Sequence, residues 1–270
     1  MPDRALEGQV ALVTGAGRGL GRAFAERLAA LGCHVGVHGM REHGPSEYGG
    51  TESLTDVARA IAVGHGVRTV KILADLTRTA EVERSIKTVV AQLGAIDILV
   101  HNAGGDIAAA GGKPDPNDVV HIKEDDVRAV IDRNLLSTIF VCQQVARGMM
   151  ERRCGRIVTI SSVAAFKGRT DGSIYATAKA GVVHFTRCLA DQMRSYNVTV
   201  NAIAPGDTRT ERFLATRAVD PARLVETGTL DRIATVDEVA RVVEFLAGAH
   251  GAFVSGQVIR MDGGGQAWPA

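Results

Sequence analysis

With 270 residues and 46% apolar content, the chain is long and apolar enough to bury one large core. Its formal net charge of +1 gives no electrostatic reason to bind nucleic acid or a membrane surface. No apolar run reaches the roughly 18–20 residues needed to span a bilayer, and the N-terminus lacks a secretory pattern.

Residues 10–13 (Val-Ala-Leu-Val) form a short apolar, β-favouring run that reads as a buried strand. It passes directly into Thr14-Gly15-Ala16-Gly17-Arg18-Gly19-Leu20-Gly21. Ala23, Phe24, Leu28 and Leu31 then recur at helical spacing until Gly32 supplies a stop. A strand, a glycine-rich turn and a helix N-terminus make an anion site. The glycines let the backbone approach a pyrophosphate, while free N–H groups and the helix dipole favour its charge. Further strands are expected at residues 35–38, 69–74, 96–101, 156–161, 198–203 and 258–261. Helices are expected at 53–63, 80–92, 124–152, 175–195 and 236–246. This alternation predicts an α/β fold, a doubly wound, mostly parallel sheet with helices on both faces, in a single domain over 1–270. Two polar segments bearing Gly and Pro, 40–51 and 105–122, read as loops inserted within that domain.

Cys33, Cys142, Cys154 and Cys188 are scattered without Cys-x-x-Cys spacing, and the eight histidines include no His-Glu-x-x-His pattern. Reduced, mostly buried thiols, no metal site and a cytoplasmic location are expected.

Chemistry concentrates at Tyr175-Ala-Thr-Ala-Lys179, with Ser162 thirteen residues upstream. Tyr and Lys four apart on a helix share a face. A phenol with a reference pKa of about 10 becomes a useful acid or base when a nearby cation stabilises its phenolate. Lys179 supplies a candidate cation, and the Ser162 hydroxyl a partner for the oxygen of a bound alcohol or carbonyl. Together they describe a site for moving a proton on or off a carbon-bound oxygen.

From residue 6 to about 264 the pattern resembles the short-chain dehydrogenase/reductase family, in its short single-domain branch. Thr14-Gly-x-x-x-Gly19-x-Gly21 is similar to the family's cofactor loop, Asp75-Leu76 to its adenine-contacting pair, and Asn102-Ala103-Gly104 to its strand-ending motif. Asn134, Ser162, Tyr175 and Lys179 resemble its catalytic tetrad, and Pro205-Gly206 with Thr210 its segment beside the nicotinamide and phosphates. The resemblance implies that Tyr175 is the acid or base, that Lys179 holds the cofactor ribose and lowers the Tyr175 pKa, and that Ser162 orients the substrate oxygen. Asn134 would hold a water linking Lys179 to solvent. The expected cofactor contacts are Gly15, Arg18, Gly19, Leu20, Gly21, His38, Arg41, Asp75, Leu76, Asn102, Ala103, Gly104, Tyr175, Lys179, Pro205, Gly206, Thr208 and Thr210.

Relatives that prefer NAD usually carry an acidic residue after the second strand, and here that position is Gly39, within Val37-His38-Gly39-Met40-Arg41. Arg18 and Arg41 stand ready for a 2′-phosphate, so NADP(H) is favoured and NAD(H) remains open. The polar 105–122 loop (Asp106, Lys113, Asp115, Asn117, Asp118), a substrate lid over 205–217 and only 4% aromatic residues favour a small hydroxy or keto compound such as a sugar or polyol. A 3-oxoacyl thioester reductase is the alternative, and a non-catalytic cofactor sensor or scaffold a third reading. By resemblance the chain is a homo-oligomer, a tetramer or dimer.

Overall fold

Seven strands alternate with helices in the computed structural model of the chain, which describes residues 4–49 and 51–267. They are β1 (Val10–Thr14), β2 (His34–Gly39), β3 (Thr69–Leu73), β4 (Ile98–His101), β5 (Gly155–Ile160), β6 (Val198–Pro205) and β7 (Val258–Met261). All pair in parallel, in the order β3-β2-β1-β4-β5-β6-β7. The central strands read as unbroken apolar runs because helices cover both of their faces. One layer holds α1 (Gly19–Ala30), α2 (Leu54–His65) and α8 (Val236–Ala247), whose Phe24, Leu28, Leu54 and Leu246 pack with Val13, Val37 and Val100. The other holds α3 (Thr79–Leu93), α5 (Ser137–Arg152) and α6 (Ser173–Met193), where Val89, Met149 and Met193 pack with Leu12, Leu99 and Val200.

Strand order reverses between β1 and β4, and in open α/β sheets ligands bind beyond the carboxyl ends of the strands at such a switch point. Thr14 and His101, the last residues of β1 and β4, lie side by side in register there.

The single helix expected over residues 124–152 is interrupted. It forms as α4 (Glu124–Ile131), a π-turn (Asp132–Leu136) and then α5. Three successive side-chain groups bond carbonyls four residues back: Asn134 Nδ2 to Val130 O at 2.8 Å, Ser137 Oγ to Arg133 O at 2.7 Å and Thr138 Oγ1 to Asn134 O at 2.6 Å. Each takes an acceptor of the helical ladder, which widens locally. The 40–51 loop contains a short helical turn, Pro45–Tyr48, with Gly50 outside the described residues. The expected lid contains a short helix, α7 (Glu211–Thr216), whose Thr210 hydroxyl accepts the Phe213 N–H. The thiols divide evenly rather than being mostly buried. Cys33 and Cys142 lie in the core, whereas Cys154 follows α5 at a turn and Cys188 faces outward from α6.

Candidate active site

The glycine-rich turn closes over the switch point because nothing larger fits. A Cβ on Gly21 would overlap the Gly15 carbonyl oxygen and lie 2.6 Å from Asn102 Nδ2. No side chain caps α1, so its first-turn N–H groups remain available to an anion. Thr14 fixes the opposite wall: its hydroxyl oxygen accepts the N–H groups of Asn102 and Ala103, each at 3.0 Å. The Thr14 hydroxyl is then left to donate to His101 Nδ1 at 3.1 Å, which puts the imidazole proton on Nε2, facing Ser137 Oγ at 3.4 Å. Burial drives the His101 pKa down to about 3, with the charge of Lys179 adding to the effect.

His38, expected among the cofactor contacts, puts its side chain beneath the loop. It is 3% exposed, accepts the Gly15 N–H at 3.2 Å and donates from Nε2 to Ala74 O at 3.1 Å. Burial holds its pKa at about 4, so it is a neutral strut. Asp75 organises the next corner, accepting the Thr77 N–H and hydroxyl on Oδ1, with Leu76 buried beside it.

The two arginines expected at a 2′-phosphate do converge, but on an acid that sequence reading did not find. Arg18 Nη1 lies 2.8 Å and Arg41 Nη2 2.9 Å from the same oxygen of Glu47, Oε2. Arg18 also donates to Gly44 O at 2.7 Å and stacks on the Tyr48 ring, 4.5 Å from its centroid. Burial alone would raise the Glu47 pKa, but the Arg18 hydrogen bond and the two cationic charges outweigh it and hold the carboxyl below its ordinary value. Charge and turn residues in a 40–51 loop were visible in the sequence, but which charges meet was not.

The residues expected to handle the proton lie at the end of β5 and the start of α6. Lys179, 4% exposed, donates from Nζ to Ile160 O at 2.8 Å, and its own carbonyl accepts the Ser161 hydroxyl at 2.9 Å. These two bonds pin α6 against the end of β5 and bring Tyr175, one turn earlier, near Ser162, whose hydroxyl favours the ionised phenol. The Lys179 ammonium sits 5.7 Å from the Tyr175 ring centroid. Burial lowers the Lys179 pKa to about 8. Burial raises that of Tyr175, against the Ser162 hydrogen bond and the charges of Arg212 and Arg217, which pull it down, while Asp106 adds to the rise. The lid arginines were not among the residues expected to act on the phenol.

Asn134, wholly buried, grips the turn after β4: Oδ1 accepts the Gly105 N–H at 2.8 Å and Nδ2 donates to Gly105 O at 2.9 Å. A Cβ on Gly104, where φ is +150°, would lie 2.6 Å from Asn134 Oδ1 and 3.4 Å from Lys179 Nζ, so Asn134 and Lys179 close on the same glycine. Across the groove, Thr210 packs over Gly19, and Thr208 is buried behind it with its hydroxyl bonded to Gly206 O at 3.2 Å. Gly206 itself is pinned to β7 through Met261 O at 2.9 Å, directly after Pro205 ends β6.

A phosphate-sized cradle at a switch point, followed along the same edge by a Ser-Tyr-Lys cluster, suits a dinucleotide and an alcohol or carbonyl side by side. The family model of short chain dehydrogenases matches residues 9–219. The chain belongs to the short-chain dehydrogenase family. This dehydrogenase is 36% identical over 268 residues to the cyclohexanol dehydrogenase of Rhodococcus sp. (strain TK6), covering 96% of each chain. It is 34% identical over 258 residues to the 3-oxoacyl-(acyl-carrier-protein) reductase FabG of Escherichia coli (strain K12), covering 96% of this chain and 97% of the relative. Among solved structures it is similar to levodione reductase, with a TM-score of 0.83 at 28% identity, over 98% of this chain and 100% of the other. The dehydrogenase is thus an oxidoreductase of a family that uses NAD(P)(H), and among its described residues no helix is long and apolar enough to cross a membrane.

Proposed function

We propose that the protein is an NAD(P)-dependent alcohol dehydrogenase or ketone reductase acting on a small polar hydroxy or keto compound. The observation that carries the reading is the Tyr175–Ser162 hydroxyl pair, held beside buried Lys179 at the end of the glycine-lined groove. The cofactor fits the residues present, since the lack of a side chain at Gly21 lets the turn close against Gly15 and Asn102 and α1 begins without a side-chain cap. When bound, the nicotinamide supplies or accepts the hydride. Gly15, Gly19, Leu20 and Gly21 hold the pyrophosphate, Asp75 and Leu76 flank the adenine, and Asn102, Ala103 and Gly104 form the wall that Thr14 fixes. Pro205, Gly206, Thr208 and Thr210 close the nicotinamide side.

In this mechanism Ser162 donates a hydrogen bond to the substrate oxygen and stabilises the charge that develops on it. Tyr175 gives its proton to that oxygen in reduction and takes it back in oxidation. Lys179 holds a ribose hydroxyl and, when charged, favours the phenolate. Asn134 keeps the 104–105 backbone in place behind Lys179. Arg18 and Arg41, with no carboxylate at Gly39, favour NADP(H) over NAD(H), provided a 2′-phosphate displaces Glu47. A homo-oligomer, dimer or tetramer, belongs to the same reading, and light scattering tests it.

The second reading, a 3-oxoacyl thioester reductase, draws support from the FabG relatives. A panel of sugars, polyols, cyclic alcohols and 3-oxoacyl thioesters, followed by nicotinamide absorbance with both cofactors, separates the two. Turnover confined to the thioesters replaces the first reading with the second, and cofactor binding without turnover points to a sensor.

A further inference from the structure

The loop after β4 places an acceptor pair next to Tyr175. Asn117 Nδ2 donates to Asp106 Oδ2 at 2.7 Å, while Asp106 Oδ1 and Asn117 Oδ1 are each enclosed without a hydrogen-bond partner. Asn117 is 8% exposed. Its carbonyl accepts the N–H of Gly172, which precedes α6, and Asp106 Oδ2 would lie 3.2 Å from a Cβ on that glycine. Gly172 stands three residues before Tyr175, and the Asp106 charge reaches the Tyr175 hydroxyl. The lid helix α7 meets this loop, with Arg212 Nη2 donating to the backbone oxygen of Asp106 at 2.8 Å. Lys113, the other polar side chain of this loop with a long reach, is turned away onto Asp171 at 2.6 Å.

Both open atoms are oxygens that only accept. A buried acceptor without a donor costs free energy, so the arrangement calls for a group that donates. A carboxylate, a phosphate or the thioester carbonyl of an acyl chain presents only more acceptors. A hydroxyl group presents the missing donor. We propose that Asp106 and Asn117 form a hydroxyl-binding subsite beside Tyr175, and that the substrate is an alcohol or ketone carrying a second hydroxyl group. The proposal rests on the oxidoreductase reading above and narrows its substrate. Opening of α7 admits the substrate, and closure buries its second hydroxyl against the pair.

Two ring ketones that differ by one hydroxyl, 2-hydroxycyclohexanone and cyclohexanone, test it in steady-state reduction with NADPH and with NADH. The wild-type enzyme is expected to prefer the hydroxyketone in kcat/KM by about 10- to 100-fold, the range for a buried hydrogen bond to a charged group. Asn117→Leu removes one acceptor and should collapse that ratio through the KM of the hydroxyketone. Asp106→Asn must turn its own oxygen toward Asn117 Nδ2, leaving an N–H donor at the open position; a hydroxyl can still accept from it, but the charged acceptor is lost, so the ratio should fall below the wild-type value. Lys113→Ala should leave the ratio at its wild-type value. NADPH dissociation constants and melting temperatures report whether the variants remain folded. A wild-type ratio near one, a ratio unchanged in both variants, or a 3-oxoacyl thioester as the best substrate overturns the subsite while leaving the enzyme an oxidoreductase. Reduction of neither ketone with either cofactor likewise overturns the subsite, whereas the alcohol and ketone chemistry itself falls only if nothing in the wider panel of sugars, polyols, cyclic alcohols and thioesters is turned over.

Discussion

Replacing Glu47 by Gln should tighten NADPH binding and leave NADH binding nearly unchanged. In the folded chain one carboxylate oxygen receives both Arg18 and Arg41, at 2.8 and 2.9 Å, and a 2′-phosphate that used these arginines would have to displace it. The Glu47 side chain is 35% exposed, those of Arg18 and Arg41 25% and 61%, so neither pair is dry. Partly exposed pairs of this kind contribute about 0.5–1 kcal/mol each. Removing both ion pairs of this one competitor should therefore return about 1–2 kcal/mol to the phosphate, or roughly 5- to 30-fold in the NADPH dissociation constant. Fluorescence titration of the two reduced cofactors against wild type and variant measures it, and added salt should shrink the gain because exposed charges are screened. Unchanged NADPH affinity would show that the phosphate does not lie between these arginines. A selective loss of NADH affinity would show instead that Glu47 accepts the ribose hydroxyls, in place of the acid missing at Gly39.

Tyr175→Phe should cut turnover by at least about 100-fold while NADPH affinity and melting temperature hold, and wild-type rates in that variant would remove the phenol from the mechanism. Gly21→Ala should weaken NADPH and NADH together, because its Cβ would meet the Gly15 carbonyl and force the cradle open. A cofactor-selective effect there would mean that the turn does not hold the shared pyrophosphate. His38 and His101 stay neutral in the fold, with pKa values of about 4 and about 3 against 6.5 ordinarily. Below about pH 6.5 the unfolded chain binds protons that the folded chain refuses, so each should cost about 1.4 kcal/mol of stability per pH unit as the pH falls toward its folded value. Melting curves from pH 7 to 4.5 should be less steep in His38→Gln than in wild type, and identical slopes would contradict the neutral-strut assignment.

The middle of the sheet was legible because its central strands are buried on both faces. Val10-Ala11-Leu12-Val13 and Ile98-Leu99-Val100 leave no polar alternation to misread, and Gly or polar turns bound each run. Ser162, Tyr175 and Lys179 were legible because α6 and β5 convert fixed sequence spacing into proximity. The break at Asn134 was not, since the pattern of apolar residues runs through it. What accompanies the break is a set of side-chain bonds to carbonyls, and the Asn134 side chain among them is also held by Gly105 from a distant loop. Glu47 was hidden for a related reason: the meeting of Arg18, Arg41 and Glu47 is set by the path of a loop, which no periodicity encodes. His38 was expected among the cofactor contacts near the end of the second strand, but its side chain lies beneath the glycine-rich loop, bonded to the Gly15 N–H and Ala74 O.

Among the described residues, none of those forming the two apolar clusters comes from 40–51, 105–122 or 206–235. Yet these three stretches contain Glu47 and Arg41, Asp106 and Asn117, and Arg212 and Arg217. On the proposed function, the residues that select cofactor and substrate are thus borne by chain that contributes no residue to either cluster. Substitutions within these stretches therefore leave the residues of both apolar clusters unchanged. Two short-chain dehydrogenases that share about a third of their residues can then diverge widely in what they accept without any redesign of their interiors.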